Sequence, residues 1–203
     1  MSKFDEQITV VPRAVLFDNE QNAFNGFIAY NDARSKAILK TLAQYEVKRR
    51  GDMEEDPSFK QLISYCILEN EDGEILVYQR LTGGGESRLH GLASIGVGGH
   101  MNDVPGEDDI MAIIEENASR ELLEEVGLPV EDTAGLEHIG FINDDNNEVG
   151  RVHIGVVFKI KVHKEQVEVR ETDTLSIHWQ SVETISDLSQ FESWSALILE
   201  QWN

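Results

Sequence analysis

Residues 120–128 read RELLEEVGL, and this short stretch combines three glutamates and an arginine with an aliphatic pattern. An α-helix advances about 100° per residue, so with Ala118 set at zero Leu122 points at about +40°. On the same scale Glu125 points at about −20°, within the apolar stripe, and Glu121 at about −60°, at its border. A solvated acidic face would place its glutamates opposite the leucines. The helix therefore presents either a metal site or a salt-bridged structural face.

The spacing of the glutamates favours the metal site. Glu121, Glu124 and Glu125 stand at i, i+3 and i+4, so their carboxylates converge and repel one another unless a cation lies between them. An ionised carboxylate on the inner face of a helix is costly unless it is paired or metal-bound. Hard divalent ions such as Mg²⁺ and Mn²⁺ prefer oxygen ligands of this kind. The alternative that stays open is a structural face in which Arg120 pairs with a carboxylate.

The composition predicts one globular domain with an acidic surface. The chain has 203 residues, of which 40% are hydrophobic and 27% charged, and its net charge is −21. Such a surface repels nucleic-acid polymers, whereas a small phosphorylated ligand can bind if divalent cations bridge it to carboxylates. The sequence lacks a secretory signal pattern and any apolar run near the roughly 18 residues of a membrane span. With Cys66 as the single cysteine, we expect a reducing, cytoplasmic location and no membrane partner.

The acidic stretch GDMEEDP, residues 51–57, is the best internal boundary of the chain. Residues 1–57 are predicted to form an N-terminal extension with an extended segment and a helix from Asp32 to Arg50. Residues 58–203 are predicted to form the main domain. We expect the extension helix to cover the sheet or to pack against a second subunit, which would produce a homodimer.

The pattern after the boundary predicts an α+β domain with helices on a mixed sheet. Two strands, QLISYCILE and EILVYQR, flank the turn NEDG and form a hairpin. A helix over residues 108–126 is ended by Gly127. Later strands are predicted at LEHIGFI, VHIGVVFKIKV and LSIHW, and a closing helix at residues 190–202.

The helix segment resembles the signature of a known family. RELLEEVGL matches, position for position, the second half of the Nudix box, whose pattern is Gly, five residues, Glu, seven residues, then Arg-Glu-apolar-x-Glu-Glu-x-Gly-apolar. Upstream, GVGGHMNDVPGE is similar to the Gly-Gly turn and the Gly-Glu pair of that family. The resemblance covers roughly residues 60–190 and implies a Nudix-type α/β/α sandwich.

The first half of the box is stretched in this chain. Gly99 and Glu107 are separated by seven residues where the pattern has five, and Glu107 and Arg120 by twelve where it has seven. The strict spacing, eight positions before Arg120, falls on Ala112. Either inserted residues let Glu107 fill the role of the first box glutamate, or that role is vacant. Nearby residues that could substitute are Glu115 and Glu116.

The resemblance implies a Mg²⁺- or Mn²⁺-dependent hydrolase acting on a nucleoside diphosphate linked to another group. Glu124 and Glu125 would ligate the metal, with Glu107 as a further ligand, and Glu121 would ligate the metal or orient the attacking water. Arg120 would hold the helix carboxylates in place through charge-assisted hydrogen bonds. Bridging metals would neutralise the diphosphate, activate water and stabilise the leaving group.

A downstream carboxylate and several substrate contacts complete the predicted site. Nudix enzymes often recruit an acidic residue from a later loop, and Glu171, in the loop before the strand of Trp179, is the preferred candidate base. Gly98 and Gly99 would let the backbone turn close to the helix. The other predicted substrate-binding residues are Arg80, Arg88 and His100, for each of which a surface or structural role is the alternative.

Two other functions stay open. A non-catalytic Nudix-fold module that binds a nucleotide-like ligand or a protein is suggested by the stretched spacing and by Ala112. It would bind its ligand without turnover at any metal concentration. A Nudix-fold isomerase of isoprenoid diphosphates has less support, because Cys66 lies in an apolar strand without a neighbouring histidine. The sequence does not identify the substrate, since specificity lies in loops that fold analogy does not describe.

Overall fold

The computed structural model describes residues 2–80, 91–168 and 175–202. The strands in these ranges are β1 (Gln7–Pro12), β2 (Gly26–Ala29), β3 (Glu46–Arg49), β4 (Phe59–Glu69), β5 (Ile75–Arg80), β6 (Ala93–Ser94), β7 (Glu137–Asn143), β8 (His153–Lys161) and β9 (Leu175–Gln180). The helices are α1 (Arg13–Leu16), α2 (Ala33–Thr41), α3 (Arg50–Met53), α4 (Ile110–Val126), α5 (Glu148–Val152) and α6 (Ser193–Leu199). Within the described ranges, none of the helices has both the length and the apolar character needed to cross a bilayer.

The strands form one mixed sheet. Its main path runs β2-β7-β8-β4-β1-β3, and β5 leaves the end of β4 to pair with β6 and β9. β4 and β8 pair in parallel from Gln61–His153 to Glu69–Lys161. The other strand pairings in the described part of the chain are antiparallel, including the predicted hairpin of β4 and β5. The mixed sheet confirms the predicted α+β class.

Both faces of the sheet are covered, because successive side chains of a strand point to opposite faces. On one face Leu62 and Cys66 of β4 join a buried cluster that includes Leu122 of α4. On the other face Ile67 joins a cluster that includes Ile198 of α6. The architecture is therefore a helix layer, a sheet and a second helix layer, with α4 packed directly on the central strand.

Local capping sets the ends of α4. The Asp109 side chain accepts a hydrogen bond from the Met111 N–H at 3.0 Å, which satisfies a free donor of the first turn. Gly127 ends the helix at a φ of 67°, in the left-handed region that glycine adopts without a Cβ clash. The predicted helix is confirmed, and it begins at Ile110, two residues later than expected.

The extension differs from the predicted single helix. Helix α2 begins after its Asp32 cap, as expected, but it ends at Thr41. Residues 46–49 form β3 and pair antiparallel with β1. This pairing satisfies backbone groups on a side of β1 that would otherwise be an open edge. The second half of the predicted helix is therefore wrong.

The N-terminal residues share the sheet and the core of the rest of the chain. β1 pairs with β4, and β2 pairs with β7. Leu16, Phe17 and Ile38 are fully buried in the cluster beneath α4, so the extension covers the sheet. The stretch at residues 51–57 contains part of α3 and a turn rather than an open linker. The division into an extension and a main domain at residue 57, and the homodimer, stay predictions.

Candidate active site

Glu121 lies at the border of the apolar stripe of α4, and its side chain is 13% exposed. The side chain of Glu124, further round the helix, is 59% exposed. Burial raises the pKa of Glu121; the positive charge of Arg120 lowers this pKa and the charge of Glu124 raises it. Arg120 Nη2 lies 2.8 Å from Glu121 Oε1, and Arg120 Nη1 lies 3.4 Å from Glu124 Oε2. One guanidinium therefore compensates two neighbouring carboxylates.

Arg120 also joins α4 to the glycine turn before it. Its Nη2 donates to Asn117 Oδ1 at 3.1 Å and to the backbone oxygen of His100 at 3.3 Å. A planar guanidinium that makes several such bonds has little freedom to rotate. The residue thereby holds the helix carboxylates at a defined position relative to His100.

Glu125 lies near the sheet. Its side chain is half-buried. The thiol of Cys66 on β4 is fully buried, which raises its pKa, and the charges of Glu121 and Glu125 raise that pKa further. Both carboxylates are therefore within electrostatic reach of the central strand. A buried, protonated thiol at this place acts as a packing group, which disfavours Cys66 as a nucleophile or acid–base catalyst.

Two glycines bring the backbone against β4 and α4. A Cβ added at Gly99 would lie 2.8 Å from Glu121 Oε2, so only glycine leaves that carboxylate its present place. Gly98 has a φ of 155°, and a Cβ there would collide with the backbone oxygen of Ser64. The Gly99 oxygen in turn accepts the Ser64 N–H at 3.0 Å. The turn is thus closed on both sides by contacts that exclude a side chain.

A cavity of about 570 Å³ opens beside this turn. Gly98, Gly99 and His100 line one part of it. Tyr65 and Trp194 line another and meet edge to face, with their ring centroids 5.7 Å apart. A volume of this size, with an aromatic wall and a few polar groups, is typical of small-molecule sites.

The acidic loop after β7 has a structural use. Lys60 is fully buried, and its Nζ lies 2.7 Å from Asp145 Oδ1. The same ammonium donates to Asn143 Oδ1 and to the Gly150 oxygen, each at 2.7 Å. Arg13 binds the other side of Asp145, with Nη2 2.9 Å from Oδ2. The carboxylate of Asp145 is therefore occupied by ion pairs with Lys60 and Arg13, which makes it a poor candidate for a catalytic base.

The structure does not bring Glu107 to the other glutamates. Its carboxylate accepts the Asp109 N–H at 2.8 Å, just before α4 begins at Ile110. From there to Glu121 the helix rises about 16 Å along its axis. Ala112 lies in the first turn of the helix, and nearby Glu115 and Glu116 are exposed.

Three predicted residues fall where side chains are not described. Glu171 and Arg88 lie outside the described residues. Arg80 ends β5, and its side chain also lies outside the described part. Glu168 precedes Glu171 by three residues, and its N–H donates to the Val126 oxygen at the end of α4 at 2.9 Å.

The donor chemistry of α4 fits a hard divalent ion. Among the described residues, no three side chains of His, Cys, Asp or Glu are already gathered as a metal cage. Glu121, Glu124 and Glu125 nevertheless offer carboxylate oxygens from one helix, and Gly99 leaves the space that Glu121 occupies. Arg120 supplies positive charge to both Glu121 and Glu124. Neighbouring carboxylates repel one another unless positive charge lies between them, and hard ions such as Mg²⁺ and Mn²⁺ prefer carboxylate oxygens as ligands.

Sequence reasoning missed the contact between His100 and His153, whose Nε2 atoms are 3.0 Å apart. They meet because Gln61 of β4 stands beside His153 in the parallel pairing, while Ile63 of the same strand forms a bridge with His100. The two histidines are 53 residues apart along the chain. No local sequence pattern could have indicated this contact.

Comparisons with known proteins agree with the described geometry. A family model for the NUDIX domain matches residues 60–202. Protein YmaB of Bacillus subtilis (strain 168) is 39% identical over 204 residues, covering 98% of each chain. The crystal structure of Tm1382, a candidate Nudix hydrolase, covers 97% of each chain at a TM-score of 0.74 and 27% identity. Both similarities extend over the N-terminal residues.

A more distant comparison shows the fold alone. The NUDIX domain of Shewanella oneidensis NrtR, solved in complex with ADP ribose, has a TM-score of 0.50 and 16% identity. It covers 70% of this chain and 85% of that one. Together with the Tm1382 structure, it confirms the predicted α/β/α sandwich with a mixed sheet.

Proposed function

Because the chain belongs to the Nudix family, we propose that it is a divalent-metal-dependent hydrolase that cleaves a diphosphate linkage in a nucleoside diphosphate derivative. The observation that carries the proposal is the packing of the Glu121 carboxylate against Gly99, where an added Cβ would lie 2.8 Å from Oε2. A structural salt bridge alone does not require a glycine at that place. A carboxylate held against a backbone turn that lines a ligand-sized cavity is the arrangement expected of a site.

Four residues of α4 then have defined tasks. Glu124, Glu125 and Glu121 would hold Mg²⁺ or Mn²⁺, and Glu121 could also orient the attacking water through a carboxylate oxygen. The ions supply Lewis-acid stabilisation of the diphosphate oxygens. Arg120 keeps Glu121 and Glu124 in place through its ion pairs of 2.8 Å and 3.4 Å. Without cations, a chain of net charge −21 would repel an anionic substrate.

The cavity is the proposed place for the group attached to the diphosphate. Its Tyr65 and Trp194 rings offer apolar surface, and the neighbouring Gly98 and Gly99 allow close approach of the substrate to the backbone. His100 adds a polar group to the wall. The remaining proposed residues are Glu171 as the downstream base and Arg80 and Arg88 as phosphate contacts.

The proposal is tested by product release from a panel of diphosphates. The panel contains ADP-ribose, dinucleotides, nucleotide sugars and nucleoside triphosphates, each with Mg²⁺ or Mn²⁺. We expect turnover of at least one nucleoside diphosphate derivative, loss of that turnover with a chelator, and its recovery on adding the metal back. Turnover that persists after complete chelation would contradict the metal-dependent mechanism.

We expect Gly99→Ala to lower activity much more than stability. The new Cβ can be accommodated if the flexible end of Glu121 moves, so the free energy of unfolding should change by less than about 1 kcal/mol. The displaced carboxylate should lower kcat/KM by at least about 10-fold, since misplacing a catalytic group by about 1 Å can cost about 100-fold.

The matched control is Gly98→Ala, whose Cβ would meet the Ser64 backbone instead of a movable side chain. This variant should lose stability, as measured by chemical denaturation. A Gly99→Ala protein that keeps wild-type kcat/KM would show that the position of Glu121 is not important for the reaction.

A second candidate function is a non-catalytic binding module. It is favoured by the separation of Glu107, which precedes α4, from Glu121 and by Ala112 at the strict box position. Such a module would bind a member of the panel, as measured by calorimetry, and would release no product with either metal. Binding without turnover would therefore support the binding module and contradict the hydrolase.

A further inference from the structure

We propose that His100 and His153, together with the side-chain oxygen of Gln61, form a second metal site that takes a borderline divalent ion such as Zn²⁺, Ni²⁺ or Co²⁺. The site lies in the wall of the 570 Å³ cavity, which both histidines line. It uses none of the glutamates of α4. The inference goes beyond the proposed hydrolysis and does not depend on it.

The donor atoms already lie close to the separation that one ion requires. His100 Nε2 is 3.0 Å from His153 Nε2 and 3.0 Å from Gln61 Oε1. Two nitrogens bound to one tetrahedral ion at about 2.0–2.1 Å are about 3.3 Å apart. A movement of a few tenths of an ångström would therefore bring the two nitrogens to the separation found in a metal site.

Hydrogen bonds determine which atoms carry the protons. His153 Nδ1 lies 2.7 Å from the Val149 backbone oxygen, which only accepts, so Nδ1 carries the hydrogen and Nε2 keeps a lone pair. A ring N–H bound to a backbone carbonyl is the usual support of a metal-ligating histidine. Gln61 is oriented likewise: its Nε2 donates to the Met53 oxygen at 3.1 Å, so its Oε1 faces His100 as an acceptor.

The remaining hydrogen lies on His100. Its Nε2–H faces two acceptors, Gln61 Oε1 and His153 Nε2. A divalent ion can take the place of this hydrogen if the proton moves to Nδ1 of the same ring. The ion then gains two imidazole lone pairs and an amide oxygen, and the neutral side chains release no proton.

The interior around the two histidines sets their protonation state. Burial lowers the pKa of His100 to about 2, and it also lowers the pKa of His153, so both rings are neutral near pH 7. Glu54 lines the same cavity, and its negative charge is paired with Arg50. Arg50 lines it too, but its charge is paired with Glu6 at 3.3 Å and with Glu54 at 3.0 Å.

The ligand types separate this site from that of α4. Imidazole nitrogens suit Zn²⁺, Ni²⁺ and Cu²⁺, whereas carboxylates suit Mg²⁺ and Mn²⁺. The described residues provide no third His, Cys, Asp or Glu for the pair, so the other positions fall to Gln61 and to water from the cavity. We therefore expect an ion with open coordination positions that face the cavity.

The test is calorimetric titration of the tag-free, chelator-treated full chain with Zn²⁺ in excess Mg²⁺. We expect one Zn²⁺ per chain. His153→Gln and His100→Asn should each weaken binding by more than about 10-fold, because even the indirect supports of metal ligands contribute about 10- to 100-fold. His178→Gln, at an exposed histidine of β9, is the matched control and should bind as the wild type does.

Failure of the wild type to bind Zn²⁺, or wild-type binding by both His153→Gln and His100→Asn, would overturn the proposal. Imidazole ¹⁵N NMR of the wild type gives a second measurement that requires no variant. Saturating Zn²⁺ should move the His100 proton from Nε2 to Nδ1 and leave the proton of His153 on Nδ1. Unchanged imidazole spectra would contradict the site, and neither readout depends on hydrolysis.

Discussion

Glu125→Gln is expected to lower the hydrolytic rate by at least about 100-fold. Glutamine keeps the shape of the side chain but removes the charge with which the proposed site binds Mg²⁺ or Mn²⁺. The Lewis-acid contribution of a metal is worth several kcal/mol, and each 1.36 kcal/mol corresponds to about tenfold in rate. Glu125 is the residue to test because its charge acts on buried Cys66, which places it on the inner side of α4.

The measurement is kcat and kcat/KM across a range of metal concentrations, on the substrate that the panel identifies. Glu131→Gln is the matched control, because Glu131 is an exposed glutamate six positions further along the chain. This control should show wild-type kinetics and metal dependence. Wild-type turnover by Glu125→Gln would remove the metal role of that carboxylate and would favour the salt-bridged structural face for α4.

Asp145→Ala is expected to lower the free energy of unfolding by about 3–5 kcal/mol, because it leaves the buried ammonium of Lys60 without its counter-ion. Burial already lowers the pKa of Lys60 to about 8, against the hydrogen bond and charge of Asp145, which raise it. The variant also removes one of the two carboxylates that pair with Arg13 and an acceptor of Asn143. For a chain of this size, we expect the melting temperature to fall by about 10 °C.

Glu20→Gln is the control for the same ion-pair network. Glu20 pairs with Arg13 at 2.8 Å, but its side chain is 54% exposed, so this loss should cost less than about 1 kcal/mol. Chemical denaturation measures both variants. If both variants lost the same small amount of unfolding free energy, the charge of Lys60 would have to be compensated by groups other than Asp145.

The same carboxylate predicts a loss of stability in acid. Burial alone would raise the pKa of Asp145, but hydrogen bonds from Arg13 and Lys60 hold it at about 2, below the ordinary value of 3.8. The folded state therefore binds the proton less readily, and the stabilisation is present above about pH 4 and lost as the pH falls towards 2. Between about pH 4 and pH 2, the free energy of unfolding of the wild type should fall by about 2 kcal/mol more than that of Asp145→Ala. Chemical denaturation at each pH measures both.

The parts of the fold that depend on neighbouring residues could be predicted from the sequence. Helix α4 is one: its apolar stripe, the Asp109 cap and the Gly127 stop all act within a few residues. The hairpin of β4 and β5 is another, because a polar turn separates two strongly apolar strands. The glutamates of the candidate site were also accessible, since a regular helix converts their spacing directly into direction.

Other features depend on residues that are distant in sequence. Residues 46–49 carry a helix-compatible pattern, yet they form β3 because β1 offers an edge that only the folded sheet provides. Lys60 could not be recognised as a buried charge, because its partner Asp145 is 85 residues away. Glu107 matched the family pattern by residue type, but the start of α4 at Ile110 separates it from Glu121.

The sequence by itself determined the placing of three glutamates together on α4, the α+β class and the family resemblance, because these follow from periodicity and spacing within single elements. The tertiary structure decided that Gly99 contacts Glu121, that Asp145 neutralises Lys60 and that His100 meets His153. The physical reason is that such contacts arise from strand pairing and layer packing, which bring together atoms whose distance along the chain has no fixed relation to their distance in space.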